Sequence, residues 1–173
     1  MVLDLKAFIT DIPDFPKPGI LFRDISPLLS DPKAFRHTVS LMSKHVRDSG
    51  VSSIVAIESR GFIFGAPVAH ESGIPLVLVR KPGKLPGDLV RMEYGLEYGT
   101  DALELKNGLL KEGSRVAVID DVLATGGTAR ATGDLIKKVG AEVARYIFLA
   151  ELLGLGGRQK LGDGVVASLV QYN

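Results

Sequence analysis

Val116-Ala117-Val118-Ile119-Asp120-Asp121-Val122-Leu123-Ala124-Thr125-Gly126-Gly127-Thr128-Ala129-Arg130 places an apolar run, two adjacent acids and a threonine-flanked glycine pair in immediate succession. Val116–Ile119 has the composition of a strand covered on both faces, with Asp120 and Asp121 at its carboxyl end. Ala124–Thr128 then leads directly into a helical segment. Backbone N–H groups at a helix start carry partial positive charge and lack internal partners, and paired glycines let the main chain approach an anion closely. Thr125 and Thr128 add hydroxyl donors. Carboxylates repel phosphate, so the two acids must face another part of the same ligand, and sugar hydroxyls suit them. A ribose phosphate therefore fits this stretch. The acids can also stabilise positive charge developing on a sugar ring during substitution at its anomeric carbon. Taken alone, Gly126-Gly127 reads as a plain strand-to-helix turn with two solvated acids; the conjunction of all three features favours the site. No Gly-x-x-x-x-Gly-Lys-Ser/Thr loop occurs, nor a Gly-x-Gly-x-x-Gly after a strand.

Outward from this stretch, strand and helix signals alternate. Val51–Ile57, Leu76–Val79, Arg115–Ile119 and Val143–Leu149 are short runs rich in Val and Ile, as expected of strands in a parallel sheet. Gly61–Glu71 and Thr128–Val139 read as helices, the second stopped by Gly140. Asp31-Pro32 offers a capping carboxylate followed by proline at the first helical position, and Phe35, Val39, Met42 and Val46 recur at helical spacing until Gly50. The pattern is βαβ, and the expected fold class is α/β with a central, mainly parallel twisted sheet flanked by helices. Lys81–Thr100 differs: Pro82, Gly83, Pro86, Gly87, Gly95 and Gly99 are scattered among charged residues and tyrosines. It reads as a mobile lid, a loop or loose hairpin, because a segment of this length inside a compact domain is usually functional or disordered.

A length of 173 residues predicts a single domain over 1–173, large enough for a core without disulfides or a structural metal. Cysteine is absent, which excludes thiolate catalysis and Cys-based zinc sites. A net charge of +1 gives no general attraction to nucleic acid or anionic membranes, so neither is expected as a partner. No apolar run approaches the roughly 20 residues needed to span a bilayer, and the first residues do not resemble a signal peptide, so a cytoplasmic location is expected.

IDDVLATGGTAR, residues 119–130, closely resembles the signature by which type I phosphoribosyltransferases bind phosphoribosyl pyrophosphate (PRPP). The segments Phe15–Pro27, Glu58-Ser-Arg-Gly-Phe-Ile-Phe-Gly, Arg80-Lys-Pro-Gly-Lys-Leu-Pro-Gly and Leu96-Glu-Tyr-Gly resemble the adenine-specific branch of that family, and the likeness runs from about residue 8 to the C-terminus. It implies the type I fold with a small base-binding hood at about residues 1–30 and the lid at about 81–100. The implied reaction joins adenine to PRPP, giving AMP and pyrophosphate in purine salvage, with Mg²⁺ carried mainly on the diphosphate and water rather than in a protein cage. A homodimer is also implied.

Residue by residue, the resemblance assigns PRPP to Ser59, Arg60, Lys81, Tyr98, Asp120, Asp121, Ala124, Thr125, Gly126, Gly127 and Thr128. Lys84 is a weaker pyrophosphate candidate than Lys81. Glu97 is implied as the acid that handles the purine proton, beside Asp120 and Asp121 as catalytic groups. Leu21, Phe22, the Arg23 backbone and Leu152 are implied to hold adenine. A cis peptide is expected between Glu58 and Ser59. By the residues alone, Arg60 would serve a surface salt bridge, Glu97 an exposed loop, and Leu21 and Leu152 the core. Arg91 and Glu93 read as a salt bridge without a role in the reaction. His37, His45 and His70 lack metal-ligand spacing and read as surface or packing residues. Two other functions fit the same residues: transfer to hypoxanthine, guanine or xanthine, and PRPP sensing without turnover.

Overall fold

A computed structural model describes residues 3–95, 100–162 and 165–173. After a 3₁₀ turn at Leu5–Phe8, the chain forms β1 (Thr10–Ile12), β2 (Phe22–Asp24), α1 (Ser26–Ser30), α2 (Pro32–Asp48), β3 (Ser53–Ile57), α3 (Gly61–Ser72) and β4 (Leu76–Val79). It continues through β5 (Leu89–Gly95), β6 (Thr100–Lys106), β7 (Arg115–Leu123), α4 (Gly127–Lys138), β8 (Glu142–Leu152), α5 (Gly157–Leu161) and β9 (Val166–Tyr172).

The main sheet is parallel throughout, in the order β4-β3-β7-β8-β9. Side chains on its strands alternate between two cores. Val55, Ile57, Val116, Val118 and Phe148 meet Ala129, Leu135 and Ile136 of α4 on one face. Ile54, Ala117, Ile119, Ile147 and Leu149 meet Val39, Met42 and Val46 of α2 with Phe64 and Val68 of α3 on the other. Burial on both faces is why these strands read as continuous apolar runs. Helix α2 starts where the Asp31 carboxylate accepts from the amides of Lys33 and Ala34, both at 2.8 Å. Such a cap stabilises a helix by about 1 kcal/mol.

Several boundaries differ from the sequence reading. Strand β3 begins at Ser53 rather than Val51, and α4 at Gly127 rather than Thr128. Strand β7 runs past Ile119 to Leu123, because its pairing with β8 continues through Val122–Ala150 and Leu123–Glu151. Asp120 and Asp121 are consequently in-strand residues. β8 is also longer than Val143–Leu149, and β1, β2 and β9 carry no clear apolar signal: β1 is exposed along its length, and Ser168 and Gln171 interrupt β9.

Much of Lys81–Thr100 is regular. β5 and β6 form an antiparallel hairpin in which Val90 faces Leu105, Met92 faces Leu103 and Tyr94 faces Asp101. Val90, Met92 and Tyr94 pack against the α4-side core at every second position, a strand period that the intervening charges and the glycines obscure. Arg80 and Glu104 exchange backbone hydrogen bonds of 2.9 and 2.8 Å, fastening the hairpin to the end of β4.

Candidate active site

The strand order reverses direction in sequence between β3 and β7: from β3 the chain moves outward to β4, and from β7 it moves the opposite way to β8 and β9. Connections leave the two central strands on opposite faces, so a crevice opens at their carboxyl ends, the place where open α/β sheets bind ligands. Glu58-Ser59-Arg60 follows β3 on one side of it, and Asp120-Asp121 follows the stretch of β7 paired with β3 on the other. The Glu58–Ser59 peptide is cis, as expected. Gly61 brings the two together: a Cβ there would fall 2.7 Å from the Ile119 carbonyl oxygen and 3.1 Å from Asp120 Oδ1.

The cleft of about 430 Å³ is lined by Ser59, Arg60, Lys81, Asp120, Asp121 and Thr128 from the expected set, together with Glu58, Tyr94, Asp101 and Leu103. A smaller cup of about 100 Å³ adjoins it through Asp120 and Thr128 and is formed by Val122–Ala129. Gly126 stands there at φ +75°, in the left-handed region, and no side chain caps the amides of α4 behind it. Ala124–Thr128 thus forms a bay of main-chain donors suited to a phosphate.

Charge in the cleft is arranged in pairs. Arg60 Nε lies 2.5 Å from Asp121 Oδ2, and its guanidinium sits 5.4 Å from the Phe22 ring centroid. Lys81 Nζ lies 3.0 Å from Asp101 Oδ2, which also accepts from the Tyr94 hydroxyl at 3.3 Å. Glu58 accepts from Arg80 Nη2 at 3.0 Å and from the Lys81 amide at 2.9 Å, and Arg80 holds its carboxyl below the usual range. Glu104, 7% exposed, accepts from the Gly83 amide at 3.2 Å. Two carboxylates therefore grip the turn that presents Lys81. Burial, and then the neighbouring Asp121 charge, push Asp120 well above the ordinary carboxylate value. Burial also raises Asp121, against the lowering pull of Arg60.

The residues expected to hold the base come mainly from the N-terminal strands. β1 and β2 pair antiparallel with Asp11 opposite Arg23. The Arg23 guanidinium contacts Asp11 and lies 3.9 Å from the Tyr172 ring centroid, so its side chain is engaged within the protein. Phe22 packs edge-on to Phe15 at 5.2 Å and, through Arg60, touches the cleft. Leu21 is 45% exposed, not a core leucine. Leu152 ends β8 opposite Tyr172, which places it in the same neighbourhood as Arg23.

Glu97 and Tyr98 lie outside the described residues. Lys84 offers its carbonyl oxygen to Arg80 at 3.2 Å and does not line the cleft. Arg91 and Glu93 form the expected pair, at 3.2 Å. Tyr94, Asp101 and Glu104 were not among the sequence candidates; the alternation of Val90, Met92 and Tyr94 could have put Tyr94 on the inner face of β5, and no signal marked Asp101 or Glu104.

Comparison with known proteins bears on the same residues. The family described as phosphoribosyl transferase domain matches residues 24–160. An adenine phosphoribosyltransferase of Carboxydothermus hydrogenoformans is 54% identical over 170 residues, covering 98% of this chain and all of the relative. The crystal structure of adenine phosphoribosyltransferase from Thermoanaerobacter pseudethanolicus superposes with a TM-score of 0.93 at 47% identity, covering 97% of this chain and 98% of that one. The Saccharomyces cerevisiae enzyme, solved with adenine and an imino-altritol bisphosphate, gives 0.90 at 38% identity, covering 95% and 96% of the two chains. By its sequence, its parallel sheet and the cleft at its switch point, the chain belongs to the adenine phosphoribosyltransferases, on the type I phosphoribosyltransferase fold.

Proposed function

We propose that this protein transfers the ribose 5-phosphate of PRPP to N9 of adenine, giving AMP and pyrophosphate in purine salvage. The observation that carries this reading is the meeting, at one switch point, of a main-chain phosphate bay, two adjacent carboxylates and the cations Arg60 and Lys81. The bay at Ala124–Thr128 suits the 5-phosphate. Asp120 and Asp121 suit the ribose hydroxyls, and Ser59, Arg60 and Lys81 suit the diphosphate. With the two phosphate ends held apart, C1′ is fixed over the acids, so positioning removes much of the entropic barrier. The carboxylates then oppose the positive charge that grows on the ring as pyrophosphate departs.

Adenine fits the hood, where Leu21 and Leu152 offer apolar surface and Phe22 adjoins Arg60. Because the Arg23 side chain is held by Asp11 and Tyr172, recognition of the base edge falls to the main chain there. Tyr94 and Asp101, at the ends of β5 and β6, both line the cleft, which supports Glu97 as acceptor of the N9 proton and Tyr98 as a PRPP contact. Geometry of this kind precedes any pKa argument for a general base.

Among the described residues no group of three or more His, Cys, Asp or Glu could hold a metal ion. Mg²⁺ that keeps its water and arrives on the diphosphate needs no such protein cage. When bound, Mg²⁺ neutralises charge on the departing pyrophosphate. No helix among the described residues is long and apolar enough to cross a membrane. A cytoplasmic location and a homodimer remain the expectations that go with this reading.

The test is direct. Purified protein is incubated with adenine, PRPP and Mg²⁺, and AMP is followed by chromatography. Equimolar hypoxanthine, guanine and xanthine compete in parallel. AMP alone is expected. Another nucleotide in its place would shift the assignment to a different purine, and PRPP binding without any nucleotide would make the protein a sensor.

A further inference from the structure

We infer that Asp101 is a competing counter-ion for Lys81: it pairs with the ammonium from the start of β6, and pyrophosphate binds by taking Lys81 away from it. The inference rests on the reading of Lys81 as a diphosphate contact. Lys81 Nζ and Asp101 Oδ2 are 3.0 Å apart and both line the cleft that holds Arg60, Asp120, Asp121 and Thr128. The lysine is poised to move while its main chain is not. Its amide is fixed on Glu58 at 2.9 Å and the following turn on Glu104 at 3.2 Å, whereas its side chain is 59% exposed. An ammonium on a four-carbon stem anchored in this way can turn from one anion to another without shifting the backbone.

Asp101 is held on its own side. Its Oδ1 accepts from the Ala102 amide at 2.8 Å, its Oδ2 from the Tyr94 hydroxyl at 3.3 Å, and Tyr94 faces it in the strand register. The carboxylate therefore stays at the start of β6 when Lys81 leaves, as a fixed negative charge at the wall of an anion site. Such a charge weakens pyrophosphate binding, both by occupying the lysine and by repulsion, and so favours product release. Asp101 is thus a positioning residue that acts through Lys81, and it ties occupancy of the diphosphate site to the charge balance between Tyr94, Asp101 and Lys81.

Asp101→Asn removes the charge while keeping the shape and a group able to meet Tyr94; Asp101→Ser serves as a second variant, and thermal melting confirms folding of both. Pyrophosphate affinity is measured by calorimetry and, separately, as product inhibition. A partly exposed ion pair is worth about 0.2–1 kcal/mol, so its loss should tighten pyrophosphate and lower KM for PRPP by about two- to five-fold. KM for adenine should not change, and kcat should not rise. In the background Lys81→Met the gain from Asp101→Asn should shrink to the repulsive part alone. Unchanged or weaker pyrophosphate affinity in both Asp101 variants, or the full gain without Lys81, would overturn the inference. Because calorimetry needs no turnover, a wild-type protein that binds pyrophosphate but makes no AMP would sink the functional reading while leaving this one standing.

Discussion

Gly126 and Gly157 meet main chain to main chain. A Cβ on Gly126 would lie 3.0 Å from the Gly157 carbonyl oxygen, and one on Gly157 would lie 2.3 Å from that of Ala124. The phosphate bay is therefore seated on the first turn of α5, some 30 residues further along the chain. Gly157→Ala should push the Ala124–Gly126 loop outward. Overpacking of this kind costs about 1–3 kcal/mol, and misplacing the bay should raise KM for PRPP about ten-fold or more. Steady-state kinetics with varied PRPP checks this; an unchanged KM would mean that α5 does not set the bay.

Asp120→Asn should separate stability from activity. The folded-state pKa of Asp120 is raised, so its contribution favours folding below the ordinary carboxylate pKa and is lost as pH rises through the raised value. At neutral pH the wild-type protein carries that penalty, and the asparagine removes it. Without substrates the variant should melt about 2–4 °C higher at about pH 7.5, with the difference vanishing at about pH 4. Its kcat should fall about 100-fold or more, since a fixed stabilising charge is lost. Melting curves across this pH range, alongside kcat, test both halves.

Acid should weaken PRPP binding before it unfolds the protein. Ribose hydroxyls donate to ionised carboxylates, so binding favours the charged forms of Asp120 and Asp121, whose pKa values burial raises. As pH falls through those raised values, KM for PRPP should climb by up to about ten-fold per pH unit for each proton taken up. A PRPP titration at several pH values, with adenine saturating, measures the slope. A flat profile down to the ordinary carboxylate range would show that the acids do not bind the sugar in ionised form.

Arg158 should matter for folding more than for chemistry. The Glu151 carboxylate is 2% exposed and accepts from Arg158 Nε at 2.8 Å and Nη2 at 2.5 Å, and from Ser168 Oγ at 2.5 Å. Arg158→Met leaves that carboxylate buried with weaker partners and should cost about 2–4 kcal/mol, read by urea unfolding. Arg158 first, with Ser168 and Gln171 adding to it, holds the Glu151 pKa low against burial. The stability it contributes is present above the ordinary carboxylate pKa and is lost as pH falls through the lowered one. The urea midpoint of the variant should therefore depend less on pH in the acid range than that of the wild type.

Local physics made part of this molecule readable from its residues. Strands β3, β4, β7 and β8 announced themselves because both faces are buried, and α2 because its carboxylate cap and apolar period agree. The β5–β6 hairpin did not: Arg91 and Glu93 disguise a period of two, and only its packing on α4 shows which side is inward. β1 and β2, three residues each, have no pattern long enough to detect. In the site, Asp120, Asp121 and the Thr-Gly-Gly-Thr bay were legible because they are contiguous. Asp101 and Glu104 were not, because nothing in their spacing says that they meet Lys81 and the turn after it.

The sequence by itself determined an α/β chain with a ribose-phosphate stretch at the end of one strand, since strand burial, helix capping and main-chain anion binding are all set within a few neighbouring residues. Tertiary structure alone decided the rest. The strand order puts Arg60 beside Asp121, although 61 positions separate them, and closes Lys81 onto Asp101. Contacts between glycine backbones seat the bay on α5. Those relationships depend on how whole elements dock, and docking is governed by shape and by burial summed over distant residues, which no short stretch of chain encodes.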